Sequence, residues 1–276
     1  MDALYIIYVY VQLDDTLKRM GHCDHHHARI STAEILTVAI VASRYFQNHH
    51  ERALQVLYLT GYIPKISVSR FNRRLHQASD ELMTLLDDMM TQRQVKTACV
   101  VDTMPLPVCN KGYAERCQLI PQVKGFVGFV AAKNMWFCGW RLHWICDAYG
   151  FPLGFDIVPA VWHELTTLQA ITGNLPSAVT IYADGAYVSH LHGSLFAEDG
   201  LTFISKPHRN MKRTLSPEHE PILFHVRSKI EAMHSIFERM GMQRLHAVTQ
   251  LGFGIKVYAS LLTHALRITF DELILY

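Results

Sequence analysis

From residue 96 onward the chain alternates between runs that read as strands and runs that read as helices, and their order leaves few ways to fold it. "TACVVD" is strand-like. "WFCGWRLHWICD" and "FPLGFDIVPA" are two more strand candidates around "DAYG" (147–150), a hairpin signal. "HELTTLQAITGNL" (163–175) reads as a helix. "AVTIYAD" (178–184) is a nearly continuous apolar strand, as expected where both faces of a sheet are covered. "YVSHLHGSLFAEDG" predicts a helix ending at Gly200, and "LTFISKP" another strand. After a polar loop rich in Arg, Lys, Pro and His, "ILFHVRSKIEAMHSIFERM" predicts a long helix. The order is β-β-β-α-β-α-β-α, with no internal repeat or low-complexity linker.

That order is the ribonuclease H-like one. The expected fold class is therefore α/β, a mixed sheet with an N-terminal helical region, divided as 1–95, 96–240 and a C-terminal helical segment 241–276. Within the first segment, "STAEILTVAIVASRYF" opens with Ser31 and Glu34 in capping-box spacing, a clear helix start. After the turn "GYIP" (61–64), Val68, Phe71 and Leu75 fall on one helix face while Arg70, Arg73 and Arg74 lie outside it. Two helices joined by a Gly/Pro turn, the second basic at its start, resemble a helix-turn-helix. A plain bundle with a solvated arginine face fits the same pattern.

The N-terminal "ALYIIYVYVQL" reads as a core helix or a core strand. At about ten residues it is too short for a bilayer, which needs about twenty, and Asp2 stands where a secretory leader would be basic. The expectation is a cytoplasmic protein with no membrane segment. Six cysteines without a C-x-x-C pair read as reduced thiols in that compartment. The net charge of +2 is too small to name a partner, so only local basic clusters can speak for nucleic acid. "CDHHHAR" (23–29) invites a metal-site reading, but Cys23 has no cysteine partner at zinc spacing, and a surface loop is the expectation. Trp136, Trp140 and Trp144 recur every four residues, which in a strand marks one packed face.

Three acidic residues sit where a charge needs an explanation. In "ACVVDTMPLP" a strand that wants burial ends on Asp102, and a chain-breaking Pro-Leu-Pro follows at 105–107. An unpaired charge there is costly. Asp184 ends the strand "TIYAD" before Gly185, and Glu231 lies inside the last long helix. In a mixed sheet of this order the first and fourth strands are neighbours, which sets Asp102 beside Asp184, and a helix packed over that edge can present Glu231. Clustered carboxylates raise one another's pKa unless a cation neutralises them. Hard oxygen donors suit Mg²⁺ or Mn²⁺, and two such ions serve phosphodiester chemistry. Each residue alone also has a plain reading, as a turn aspartate, a surface helix residue or a loop cap.

The wording of the chain is also familiar. "VDTMPLPVC", "GWRLHWICDAYGFPLGFDIVPAVWHE", "YADGAY", "ISKPHRNMK" and "RSKIEAMHS" resemble, in order, the blocks of bacterial insertion-sequence DDE transposases, and most nearly the insertion-sequence 982 family. The resemblance covers most of residues 31–265. It implies that Asp102, Asp184 and Glu231 form the catalytic and metal-binding triad, with use of two Mg²⁺ or Mn²⁺ ions. It further implies DNA cleavage and strand transfer at transposon ends, transposon-end and target DNA as partners, a homodimer on DNA, and a nucleoid-associated place in a bacterial cytoplasm.

Around the glutamate this superfamily often shows Tyr, Arg, Glu and Lys in Y-x2-R-x3-E-x6-K spacing; here Phe224, Arg227, Glu231 and Glu238 occupy those places. Arg227 and Glu231 stand at i and i+4, on one helix face. "SKPHRNMKR" supplies Lys206, Arg209, Lys212 and Arg213, which suit phosphate contacts that position DNA without reading its sequence. With Arg70, Arg73, Arg74 and Arg227 they are the expected DNA-binding residues. Two rivals stand beside this reading. One is a ribonuclease H-like nuclease; the other is an inactive transposase remnant that only binds DNA, kept open by the reversed charge at Glu238.

Overall fold

The strand that begins at Ala98 does not stop at Asp102. In the computed structural model, which describes residues 1–275 except 96–97, 122–123, 131–133, 163, 174, 177, 185–195, 198–199 and 206–215, β1 spans Ala98–Asn110 and runs straight through Pro105 and Pro107. Its antiparallel partner β3 (Met135–Asp147) accompanies it from Cys99 opposite Asp147 to Asn110 opposite Phe137. Its other neighbour, the parallel strand β5 (Thr180–Ala183), pairs only with Ala98–Val101. Beyond Val101 no strand among the described residues pairs with that edge of β1. The two prolines are two residues apart, so their missing N–H groups fall on the same edge, that one, where no ladder bond is lost. The chain-breaking reading of Pro-Leu-Pro is corrected on this ground.

The remaining strands complete the expected order. β6 (Thr202–Ser205) lies parallel beyond β5. On the far edge of β3, β4 (Pro152–Pro159) pairs with Trp140–Cys146, and β2 (Val127–Val130) pairs with Met135–Cys138. The core sequence β4-β3-β1-β5-β6 is the ribonuclease H-like arrangement in an α/β chain. β2 was not foreseen; four residues with glycine at the second place give little pattern to read. A bulge between Pro107 and Cys109 shifts the register opposite Gly139, where a Cβ would stand 2.2 Å from the Leu106 carbonyl oxygen, so only glycine fits.

The chain divides into two compact units, Met1–Met89 with Phe237–Tyr276, and Met90–Ile236. The second holds the sheet, a short 3-10 helix Lys111–Arg116, α6 (Glu164–Thr172) and α7 (His219–Arg239) up to Ile236. Asp147 anchors its hairpin turn: Oδ1 accepts from the N–H groups of Tyr149 and Phe151, each at 2.9 Å, while Oδ2 takes Arg93 Nε and Nη2, both at 2.8 Å. The helix expected over "YVSHLHGSLFAEDG" lies mostly outside the described residues.

The first unit is helical. α1 (Ala3–Arg19) resolves the ambiguity of the N-terminal run: Asp2 caps it by accepting from Leu4 and Tyr5 N–H, and Tyr5, Ile6, Val9, Leu13 and Leu17 make its buried face. α2 (Thr32–Phe46) carries the expected capping box between Ser31 and Glu34. α3 (His50–Leu59), α4 (Val68–Gln77) and α5 (Ser79–Gln92) follow. α8 (Gln250–Ile274) is buried along most of its length and packs on α2, where Asn48 donates to the Met240 carbonyl at 2.8 Å and to Ser260 at 3.0 Å. No helix among the described residues is long and apolar enough to cross a membrane.

Candidate functional site

The register of the parallel pair β1 and β5 sets Val101 opposite Ala183. Asp102 is the next residue on β1 and Asp184 the first residue beyond β5, so both follow directly on that paired position. α7 supplies the third group. Leu223, Arg227, Ile230 and Glu231 recur at helical spacing and face a cavity of about 110 Å³. Asp102, Asp184, Glu231, Val100, Tyr182 and Ala183 complete its lining. All three sequence-derived carboxylates therefore border one space, although they come from three separate elements. Asp102 is the most sheltered, with 23% of its side chain exposed; Asp184 and Glu231 are 51% and 70% exposed at the mouth.

The charge of the mouth is met by Arg227. Its Nη1 lies 3.6 Å from Asp184 Oδ1 and its Nε 3.4 Å from Glu231 Oε1, so one guanidinium links two of the three carboxylates. At Asp102, Oδ1 accepts the Thr103 N–H at 2.7 Å, and Oδ2 faces His234 Nε2 at 3.6 Å. Among the described residues no three His, Cys, Asp or Glu side chains come together closely enough to hold a metal ion. The donor chemistry nonetheless suits one: three carboxylates, and no thiol, line the cavity, the set that hard divalent cations prefer. The floor is dry. Burial pushes the Tyr182 phenol above its ordinary pKa, and its hydroxyl lies 3.1 Å from His219 Nδ1. Burial likewise raises the Cys146 thiol well above its usual range, helped by the charges of Asp147 and Asp102.

The other expected residues are distributed as follows. Arg70 and Arg73 are exposed on α4, where Phe71 and Leu75 are buried. Arg74 is occupied within its own unit: it donates to the Ile30 carbonyl at 2.8 Å and to Asp24 Oδ1 at 2.9 Å. Lys206, Arg209, Lys212 and Arg213 lie outside the described residues. In the loop 23–29, His25, His26 and His27 are exposed and Asp24 accepts from Thr32, as a surface loop would have it. All six cysteines are free thiols.

Reading the sequence alone missed His234 and the Arg93–Asp147 pair. His234 had a signal: three residues after Glu231 on a helix, it shares that residue's face. Its ring also packs at 6.3 Å from Trp144, the residue opposite Asp102 on β3. The Arg93 pairing joins residues far apart in the chain and carries no local pattern.

A family model described as a transposase DDE domain matches residues 92–246. Among solved structures, the piggyBac transposase synaptic complex with hairpin DNA is similar at a TM-score of 0.46 and 9% identity, over 99% of this chain and 80% of that one. The Mos1 transposase paired-end complex with left transposon end is similar at a TM-score of 0.28 and 11% identity, over 94% of this chain and 86% of that one. No curated protein matches the chain.

Proposed function

This chain belongs to the transposase DDE domain family, and we propose that it cuts and rejoins DNA at transposon ends with Asp102, Asp184 and Glu231 as its catalytic carboxylates. The observation that carries the reading is the lining of one cavity by all three, from β1, from the end of β5 and from α7. The order and wording of the sequence blocks support a bacterial insertion-sequence enzyme of the 982 type.

The three carboxylates would hold Mg²⁺ or Mn²⁺, in the two-ion manner of phosphodiester enzymes. A divalent ion held there supplies Lewis acidity at the scissile phosphate. The chain's own groups do the rest. Asp102, the most sheltered, fixes the inner wall through its bond from Thr103 N–H. Arg227 sits at the mouth, half exposed, where it can exchange Asp184 and Glu231 for a phosphate oxygen, which a guanidinium also meets with charge-assisted hydrogen bonds. There it stabilises charge that grows on the phosphoryl group during displacement. Water attacks the phosphodiester at the transposon end, leaving a 5′-phosphate and freeing a 3′-hydroxyl; that hydroxyl then attacks a target phosphodiester in line, joining to its phosphorus and releasing a target 3′-hydroxyl.

DNA is held outside the site by separate groups in this reading. Arg70 and Arg73, exposed on α4, would contact a transposon end, and the basic residues of 206–213 would meet phosphates. Segments 1–95, 96–240 and 241–276 serve as the DNA-binding, catalytic and C-terminal parts of a chain that acts as a homodimer on DNA in a bacterial nucleoid. One observation favours a second reading. Glu238 stands where a lysine is usual, as it would in a remnant that binds ends without cutting. A strand-transfer assay with candidate terminal repeats and Mg²⁺ decides. Joined products support the transposase, nicks without joining support a nuclease, and binding without either supports the remnant.

A further inference from the structure

β1 and β3 carry the sheet well past the carboxylates. Eight residues separate Asp102 from Asn110, the end of β1, which at about 3.3 Å per residue is about 25 Å of strand. At the far end β2 joins as a third strand. This extension has its own small core: Ala114, Ile120 and Cys138 are buried, with Cys109, Cys117, Phe126 and Val127 packed against them. Its outer aromatics are not part of that core. Phe129 and Trp136 are directly opposed across β2 and β3 with ring centroids 5.0 Å apart, yet Trp136 is 54% exposed and Phe129 37%. Tyr113, on the 3-10 helix, is 64% exposed. Lys111 holds its ammonium 5.0 Å from the Trp136 ring centroid.

The charge of this stretch is also unusual. Between Thr103 and His143 the basic residues are Lys111, Arg116, Lys124, Lys133 and Arg141, and Glu115 is the one acidic residue. A segment that makes up a small part of the chain thus carries more positive charge than the whole, whose net is +2. Lys111, Arg116 and Lys124 are exposed. Exposed aromatic rings on a rigid scaffold, interleaved with lysine and arginine, match unpaired nucleic acid, whose bases present open π faces and whose phosphates need cations. A duplex hides its base faces and has no use for the rings.

We propose that the tip of the β1–β2–β3 extension is a binding surface for single-stranded DNA, with Trp136 stacking on a base and Lys111, Arg116 and Lys124 meeting the phosphates. The choice of DNA rests on the transposase reading above; the stacking geometry does not. The surface would hold a strand about 25 Å from Asp102 along β1.

Fluorescence anisotropy with the full chain tests this, using a labelled 20-residue oligothymidylate and a duplex of equal length over a series of KCl concentrations. Trp136→Ala is expected to weaken oligothymidylate binding about tenfold while leaving duplex binding unchanged, and Trp136→Phe is expected to restore most of it. The double variant Lys111→Ala/Lys124→Ala is expected to reduce the salt slope on the single strand by about 1.4. Equal oligothymidylate affinity in Trp136→Ala and the parent overturns the proposal. So does an equal loss on duplex, or a Phe variant as weak as the Ala variant. Cleavage by carboxylate variants is a separate readout. If those variants cut DNA normally the transposase reading falls, while the anisotropy result still decides the surface.

Discussion

Arg227 Nη1 lies 3.6 Å from Asp184 Oδ1, across the cavity that Asp102 and Glu231 also line. Both partners are about half exposed, so the pair adds little to folding; exposed pairs are typically worth about 0–1 kcal/mol. Its consequence is electrostatic. A guanidinium that neutralises two carboxylates competes with any cation they would hold and is itself available to phosphate.

Replacing Arg227 with Gln should therefore separate the two roles. Removing a unit charge about 4 Å from a carboxylate in water-like surroundings is worth about 1 kcal/mol, so Mn²⁺ affinity of the DNA-free protein should rise about fivefold. Strand cleavage should fall, because the phosphate loses its cation. Calorimetric Mn²⁺ titration checks the first part; an unchanged or weaker affinity would show that Arg227 does not compete with the ion.

The Arg93–Asp147 pair offers the opposite contrast, a structural ion pair with no place in the chemistry. Its side chains are only 16% and 8% exposed, and the Arg93 guanidinium also lies 4.7 Å from the Phe151 ring centroid. Arg93→Ala leaves Asp147 buried and unpaired, which should cost about 3–5 kcal/mol. Urea unfolding measures it. A loss under 1 kcal/mol would mean that water replaces the guanidinium at little cost.

How far the sequence could be read depends on whether the cause was local. Ser31 and Glu34 interact within one turn, so the capping box was legible. Asp102 and Asp184 became neighbours because strand order alone places β1 beside β5. Pro105 and Pro107 misled, because their tolerance depends on which edge of β1 lacks a partner, and that is settled only by the short length of β5. The arginines of α4 looked alike in sequence, yet Arg74 turns inward because Asp24 and the Ile30 carbonyl, on a distant loop, offer it acceptors. The exposed Trp136 was read with Trp140 and Trp144 as one packed face; the sheet narrows toward the end of the extension and leaves its ring open.

His50 gives the pH dependence of the helical unit. Burial, aided by Lys256 and the neighbouring His76 and His49, holds its pKa down to about 3, and its ring packs edge-on against Phe71 at 5.4 Å. In the unfolded chain it titrates near 6.5. Between those values the unfolded state binds one more proton, so stability is fully present above about pH 6.5 and is lost as pH falls toward 3. From pH 7 to pH 5 this group alone should remove about 2 kcal/mol. Urea unfolding of His50→Gln at both pH values should show a drop smaller by that amount; an identical drop in parent and variant would place the acid sensitivity elsewhere.

The central claim is that Asp184 acts in chemistry and not in folding. Asp184→Asn keeps the side-chain volume and removes one negative charge from a half-exposed position. A residue with only a structural role there would tolerate this within about 0.5 kcal/mol and keep its activity. A carboxylate needed to hold Mg²⁺ would not, since a neutral amide is a poor replacement for a charged hard ligand. The direct measurement is single-turnover cleavage of transposon-end DNA at fixed Mg²⁺, alongside thermal melting of the same preparations without metal. The account predicts melting within a few degrees of the parent, retained DNA binding and a cleavage rate lower by orders of magnitude; cleavage at the parental rate would contradict it.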